Sequence, residues 1–159
     1  MTHLYQTNKK IKKHEIMHLC SEFIKANSVA WSIQYVEPKR IDEINIRQAV
    51  FEAMHKCIAD LIRQIGCANE MFLLVDGSDF KTFPVYIESE NRMHSMPFET
   101  VVGGDNLYLS IAAASILAKC ARDDYILDLC EKNPELIEKY GMNTNMGYGT
   151  KKHYEGISK

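Results

Sequence analysis

The 159-residue sequence predicts an α/β fold, organised as one domain over residues 1–159. Three observations support this. Helix-forming and strand-forming segments alternate, in the order helix, strand, helix, strand, strand, helix. The apolar run 71–75 stops at an Asp-Gly pair, which is typical of a strand buried on both faces. A Gly-Gly-Asp turn joins a strand at 100–102 to the least polar helix-forming run, 110–121.

The first half of the chain contains two helical patterns separated by an alternating one. After a basic lead-in at 7–13, apolar residues recur at helical spacing, and this helix should end near Asn27. Residues 29–35 alternate between apolar and polar side chains, which predicts a strand. A longer helix is predicted over 42–65, with Asp42 as its N-cap and Gly66 just past its end.

The second half is dominated by the helix 110–121, in which Ser110 serves as N-cap or first-turn residue. Its small side chains allow a neighbouring backbone to approach closely. Between 78 and 99 the sequence predicts irregular structure, with a short strand at 85–87 and a polar tip at 88–94. A short helix from Pro134 and a turn at 147–150 complete the prediction.

Composition limits the functional classes. The formal net charge is −2, so any surface that binds nucleic acid must be local. Five cysteines without a CxxC pair indicate reduced thiols, and we expect an intracellular, cytoplasmic protein. No apolar run approaches the roughly 18 residues that a membrane-spanning helix needs, so a membrane role is not expected.

Asp76 and Asp105 each follow a predicted strand, and paired carboxylates at neighbouring strand ends suit Mg²⁺ or Mn²⁺. On spacing alone, an ordinary Asp-Gly or Gly-Asp turn is the more frequent explanation. Asp123 is a weaker candidate because it follows Asp105 by 18 positions, or roughly 27 Å along a continuous helix.

A second candidate metal motif lies near the start of the chain. His14, Glu15 and His18 match HExxH, in which two imidazoles bind zinc and the glutamate acts as the general base of a peptidase. A solvated helix face is the favoured interpretation, and a zinc peptidase remains the alternative.

Two basic clusters lie at 9–13 and 151–153. They are interpreted either as contacts to the phosphates of a nucleic acid or as ordinary solvated surface. Tyr148 stands between two glycines. An aromatic side chain on such a turn suits stacking on a sugar or base, and the alternative is a tyrosine folded back over the core.

Several of these runs, in this order, resemble type 2 ribonuclease H (ribonuclease HII). They are 41–46 (IDEINI), 74–77 (LVDG), 104–105 followed by SIAAASILAK and Arg122-Asp123, and 147–153 (GYGTKKH). The resemblance implies a ribonuclease H-like mixed sheet flanked by helices. It also implies hydrolysis of RNA in RNA·DNA hybrids, including single ribonucleotides embedded in duplex DNA, by two Mg²⁺ or Mn²⁺ ions.

The resemblance assigns roles to individual residues. Asp76 and Asp105 match the family's metal-binding aspartates, and Asp123 matches a further aspartate near the catalytic site. Tyr148 is similar to the tyrosine that packs against the deoxyribose at an RNA-DNA junction. Lys9, Lys10 and Asn45 are similar to residues that lie along the nucleic-acid path.

The sequence also departs from the family pattern. No DEVGRG strand precedes Thr7, and no basic tail follows residue 159, so we expect a family member that is incomplete at both ends, without its first strands and final segment. Such a chain would be a monomer unless a missing segment complements it. Two interpretations follow: a hybrid-cleaving endonuclease, or a noncatalytic remnant that binds nucleic acid.

Overall fold

The computed structural model describes residues 2–66, 71–88 and 91–158, with side chains described from His14 onward. Two compact units make up the chain, Met1–Ile116 and Leu117–Lys159. A single ribonuclease HII-like domain over 1–159 stays a prediction. None of the helices in the described part of the chain has the length and apolar character needed to cross a membrane.

Seven α-helices and four strands are described. The helices are α1 (Thr2–Asn27), α2 (Pro38–Ile44), α3 (Ile46–Ile65), α4 (Leu109–Lys132), α5 (Glu135–Tyr140), α6 (Met142–Asn145) and α7 (Lys151–Ile157). The strands are β1 (Leu73–Asp76), β2 (Pro84–Ile87), β3 (Arg92–Ser95) and β4 (Phe98–Val101), and a 3-10 helix (Gly104–Asn106) follows β4. The boundary between the two units falls within α4.

Both parallel and antiparallel strand pairing occur in the first unit, which confirms the α/β class. β1 and β4 are parallel, with Asp76 opposite Val101 at their carboxyl ends. β2 and β3 form an antiparallel pair. Among the described residues these are two separate two-stranded sheets.

An apolar cluster on α3 and β1 fixes the position of the parallel strand pair. Its buried members are Phe51, Ile58, Val75, Phe80 and Met96. The Phe80 ring stands edge-on to Phe51, with centroids 6.3 Å apart. Fully burying an apolar side chain of this size contributes about 1.5–3 kcal/mol. β1 is therefore anchored through Val75, the residue immediately before Asp76.

The strand predicted at 29–35 is not formed. This segment has no regular secondary structure, and the Val29 side chain is 94% exposed. It is held to α3 by side chains instead: Ser32 Oγ donates to Asp60 Oδ2 at 2.7 Å, and Gln64 Nε2 donates to the Trp31 carbonyl at 2.9 Å. Alternation predicts a strand only where a neighbour supplies a ladder of hydrogen bonds, and none of the described strands pairs with this segment.

The predicted helix 42–65 is two helices, α2 and α3, separated at Asn45. Asn45 has φ 66° and ψ 163°, which is incompatible with a continuous helix. Its Oδ1 accepts a 3.1 Å hydrogen bond from the Gln48 amide, so Asn45 and not Asp42 is the N-cap of α3. The predicted C-terminal glycine is confirmed: Gly66 has φ 75° and donates to the Ile62 carbonyl.

The remaining boundaries also differ from expectation. β1 begins two residues later than predicted, and only Val75 in it is fully buried. The predicted polar tip contains β3, because the chain turns back onto β2 there. α4 continues well beyond residue 121, and the basic cluster at 151–153 is the first turn of α7, capped by Thr150.

Candidate metal centre and nucleic-acid interface

Asp76 is the last residue of β1, and its side chain is exposed. Parallel pairing continues one step past it, since the Gly77 amide donates to the Val101 carbonyl at 2.9 Å. Asp76 Oδ1 in turn accepts a 2.9 Å hydrogen bond from the Gly104 amide. The carboxylate is thus oriented by the backbone that leaves the neighbouring strand.

Two glycines make this backbone path possible. Gly103 has φ 66°, in the left-handed region where glycine is favoured. Gly104 is buried, and a Cβ atom there would lie 2.5 Å from Ile111 Cδ1 and 3.3 Å from Val101 Cβ. Without a side chain at 104, the backbone comes close enough to bond to Asp76.

Asp105 is the central residue of the 3-10 helix and is exposed. Its Oδ1 accepts a 3.0 Å hydrogen bond from Asn106 Nδ2. Because consecutive Cα atoms are about 3.8 Å apart, the contact with Gly104 brings Asp76 close to the residue that carries the second carboxylate. The two aspartates therefore lie at one edge of the parallel strand pair, and their exposed oxygens are ligands of the type that Mg²⁺ and Mn²⁺ prefer.

Asp123 belongs to the second unit and differs in environment. It lies on α4, and only 8% of the residue is exposed. Lys119 Nζ lies 3.2 Å from one carboxylate oxygen and Arg122 Nη1 lies 3.4 Å from the other. Two cations of its own helix therefore compensate this buried charge, as a buried carboxylate requires.

Tyr148 lies on a turn built around Asn145. The Asn145 carboxamide accepts from the Gly147 amide at 2.9 Å and donates to the Tyr140 carbonyl at 2.7 Å. Gly147 has φ 76°, in the left-handed region where glycine is favoured. Tyr148 is 61% exposed and not folded over the core.

Arg122 supports the Tyr148 ring. Its guanidinium carbon lies 4.3 Å from the ring centroid, within the range of a cation–π contact. The same guanidinium donates to the Met146 carbonyl. Sequence reasoning did not assign Arg122 a role of its own, because no local pattern connects it to a tyrosine so much later in the chain.

The other residues predicted to bind nucleic acid are described to different extents. Lys9 and Lys10 lie within α1, and their side chains fall outside the described part of the chain. Asn45 is exposed, with its Oδ1 used as the cap of α3. Lys152 Nζ donates to the Ile137 carbonyl at 3.1 Å, whereas Lys151 lies 3.8 Å from Glu155 on the exposed face of α7.

A cavity of about 490 Å³ lies over α2 and α3, and neither Asp76 nor Asp105 lines it. Glu52 in its wall bonds to Lys56 at 2.9 Å and to Arg40 at 3.1 Å. These hydrogen bonds, with that from Lys56 first, hold the pKa of the Glu52 carboxyl below its usual value. The charges of this wall are therefore largely paired within the protein.

Residues 6–159 match the family model described as ribonuclease HII. Three relatives named ribonuclease HII are from Chloroherpeton thalassium (43% identical, covering 93% of this chain), Phocaeicola vulgatus (40%, 97%) and Bacteroides thetaiotaomicron (42%, 86%). The matched regions are 63%, 67% and 59% of these relatives' own lengths, so the chain spans about three fifths of the proteins it matches. The family match and the α/β architecture agree with the ribonuclease H-like fold that the motifs predicted, and the chain belongs to the ribonuclease HII family.

Proposed function

We propose that this chain is an endoribonuclease that hydrolyses RNA in RNA·DNA hybrids, including single ribonucleotides embedded in duplex DNA. The observation that carries the proposal is the hydrogen bond between Asp76 and the Gly104 amide. It joins the strand end that carries Asp76 to the turn that carries Asp105, and these two motifs are far apart in sequence. The family match supports the same activity and lends no support to a zinc peptidase.

Asp76 and Asp105 would hold Mg²⁺ or Mn²⁺, and the oxygen donors of two exposed carboxylates fit such ions. When bound, ions of this kind activate the attacking water and stabilise the leaving oxygen of a phosphodiester. The Gly104 amide keeps the Asp76 carboxylate in one orientation, so less ordering is needed when a cation binds. Asp123 is proposed as a further catalytic carboxylate, and its oxygens form ion pairs with Lys119 and Arg122.

Tyr148 is the proposed contact with the sugar of the substrate. Its ring is exposed and supported by Arg122, so it offers one face for stacking and a cation nearby for phosphate. Lys9, Lys10 and Asn45 are proposed to contact the nucleic-acid backbone. Contacts of this kind bind without regard to base sequence, as cleavage of hybrids of any sequence requires.

A noncatalytic nucleic-acid-binding protein is the second candidate. The pairing of Arg122 with Tyr148 favours it specifically, because this contact presents a stacking surface that needs no metal ion. The two candidates share the binding surface and differ in whether the carboxylates support hydrolysis.

A nicking assay separates them. The substrate is a DNA duplex with one ribonucleotide, incubated with the chain and Mg²⁺ or Mn²⁺. We expect metal-dependent nicking at the ribonucleotide and its loss in Asp76→Asn, which removes a charge while keeping the shape of the side chain. Asp79→Asn is the matched control, since Asp79 is an exposed aspartate three positions later that pairs with Arg47.

The outcomes assign the function. Nicking that survives in Asp79→Asn and disappears in Asp76→Asn supports the endonuclease. Binding of the duplex without nicking under either metal would establish the second candidate. Neither binding nor nicking would refute both.

A further inference from the structure

The two histidines of the HExxH sequence form a close pair on α1. His14 and His18 are four positions apart and so lie on the same helix face. Their Nε2 atoms are 3.4 Å apart and their ring centroids 4.4 Å apart. Both residues are half-buried, so the pair is partly accessible to solvent.

The distance between the two nitrogens suits one metal ion bound to both. Zinc binds imidazole nitrogen at about 2.0–2.1 Å, and two nitrogens 3.4 Å apart then subtend an angle of about 110° at the ion, close to the tetrahedral value. As a direct hydrogen bond between the rings the same separation is long, since N–H···O hydrogen bonds in proteins fall near 2.7–3.2 Å. The spacing therefore fits a shared ion better than a shared proton.

We propose that His14 and His18 form a binding site for a divalent transition-metal ion of the zinc, nickel and copper class, separate from the carboxylate centre. Imidazole is a ligand that these ions favour, whereas Mg²⁺ takes oxygen ligands. The Asp76 and Asp105 centre and the histidine pair therefore select different metals. Binding of the ion is expected to clamp one turn of α1.

Calorimetric titration of the chelator-treated protein with Zn²⁺ and with Ni²⁺ tests the proposal, in buffer that contains millimolar Mg²⁺. We expect one ion per chain for each metal, unaffected by Mg²⁺. His14→Ala and His18→Ala should each weaken binding about a hundredfold, because each converts a two-point attachment into a single one. Alanine favours helix more than histidine does, so α1 should persist in both variants.

A relocation variant is the matched control. His18→Leu combined with Leu19→His keeps the composition and the number of histidines but turns one imidazole about 100° around the helix. Leu19 is 71% exposed, so the exchange disturbs little packing. This variant should bind as weakly as His14→Ala.

Electron paramagnetic resonance with Cu²⁺ provides a readout that does not depend on affinity. The wild-type spectrum should show coupling of the copper to two imidazole nitrogens, and the His14→Ala spectrum to one. Wild-type affinity in the relocation variant, or binding unchanged by both alanine substitutions, would overturn the proposal. The nicking assay does not depend on this site, so the two proposals can fail separately.

Discussion

The carboxylate of Asp76 accepts a 2.9 Å hydrogen bond from the backbone amide of Gly104, 28 positions later in the chain. The bond provides a partner for the amide of a buried residue, and buried amides that lack one are costly. It also places the Asp76 carboxylate beside Gly104, which directly precedes Asp105. Local stability and the proposed metal centre therefore depend on the same contact, and substitutions can separate the two contributions.

Replacing Asp76 in two ways distinguishes its structural role from its charge. Asp76→Ala leaves the Gly104 amide without its acceptor, so we expect a loss of about 1–3 kcal/mol in the free energy of unfolding. Asp76→Asn retains an acceptor oxygen and should cost much less, while still weakening Mn²⁺ binding. Urea denaturation measures the first effect and calorimetry the second. Asp79→Ala, which breaks only an exposed ion pair worth about 0–1 kcal/mol, is the control.

The absence of a side chain at Gly104 should be essential. Gly104→Ala places a Cβ 2.5 Å from Ile111 Cδ1, and we expect a loss of about 1–3 kcal/mol together with weaker Mn²⁺ binding. Ile111→Val removes the clashing atom. In a double-mutant cycle, Gly104→Ala should therefore cost less in the Ile111→Val background than in the wild type. Equal costs in the two backgrounds would mean that the Ile111 contact does not constrain this turn.

Asn45 has a backbone conformation that glycine adopts without strain. Its φ of 66° and ψ of 163° cost a non-glycine residue about 1–3 kcal/mol, whereas replacing an asparagine cap by glycine costs only a few tenths. We therefore expect Asn45→Gly to raise the melting temperature. Asn45 is proposed to contact the nucleic acid through its side-chain carboxamide, so the same variant should bind hybrid duplexes more weakly. Asn91→Gly is the control for the binding measurement. Asn91 also has a positive φ, of 49°, but it lies in the turn between β2 and β3. A decrease in stability for Asn45→Gly would contradict the strain argument.

Tyr148 should contribute to binding through its ring. Tyr148→Ala should weaken binding to a hybrid or ribonucleotide-containing duplex by about 1–3 kcal/mol, the range for one stacked base, whereas Tyr148→Phe should have little effect. Arg122→Lys should weaken binding too, because lysine lacks the planar group that supports the ring. Fluorescence anisotropy at fixed salt measures each affinity. Tyr86→Ala, at a tyrosine that is 52% exposed, controls for loss of exposed aromatic surface.

Burial raises the pKa of the Cys57 thiol above its usual value of 9.0, although a hydrogen bond with Ser32 acts in the opposite direction. A raised folded-state pKa means that the neutral thiol is favoured by folding. Its contribution is complete below the unfolded pKa and is lost as pH rises through the folded pKa. We expect the free energy of unfolding of the wild type to fall above pH 9.0. The free energy of unfolding of Cys57→Ser should fall less over the same range. Urea denaturation of the wild type and of Cys57→Ser at a series of pH values measures this difference.

Local chemistry accounts for the features that the sequence predicted correctly. Gly66 ends α3 because glycine adopts the left-handed conformation at low cost. The apolar run before Asp76 forms a strand, and the alanine-rich run forms α4, since both patterns are encoded in adjacent residues. The motifs that contain Asp76, Asp105 and Tyr148 were identifiable for the same reason, and they led to the family before any contact was known.

Tertiary contacts decided the secondary structure of segments in which the local sequence preference was weak or misleading. Residues 29–35 alternate as a strand does, yet hydrogen bonds to side chains of α3 hold them as a segment without regular secondary structure. The periodic run over 42–65 continues across Asn45, but the backbone turns there and Asn45 begins a new helix. In neither case does the hydrophobic pattern carry information about which backbone groups find partners.

The sequence by itself determined the family and predicted the candidate carboxylates and the helices that carry the motifs, because these depend on residue types at short spacing. Only the tertiary structure decided that β1 pairs with β4 in parallel, that Asp76 bonds to Gly104, and that Arg122 supports Tyr148. Each of these contacts joins residues far apart in sequence. The first two form because apolar packing at Val75 and the missing side chain at Gly104 bring two backbones together, and such proximity is a property of the folded chain as a whole.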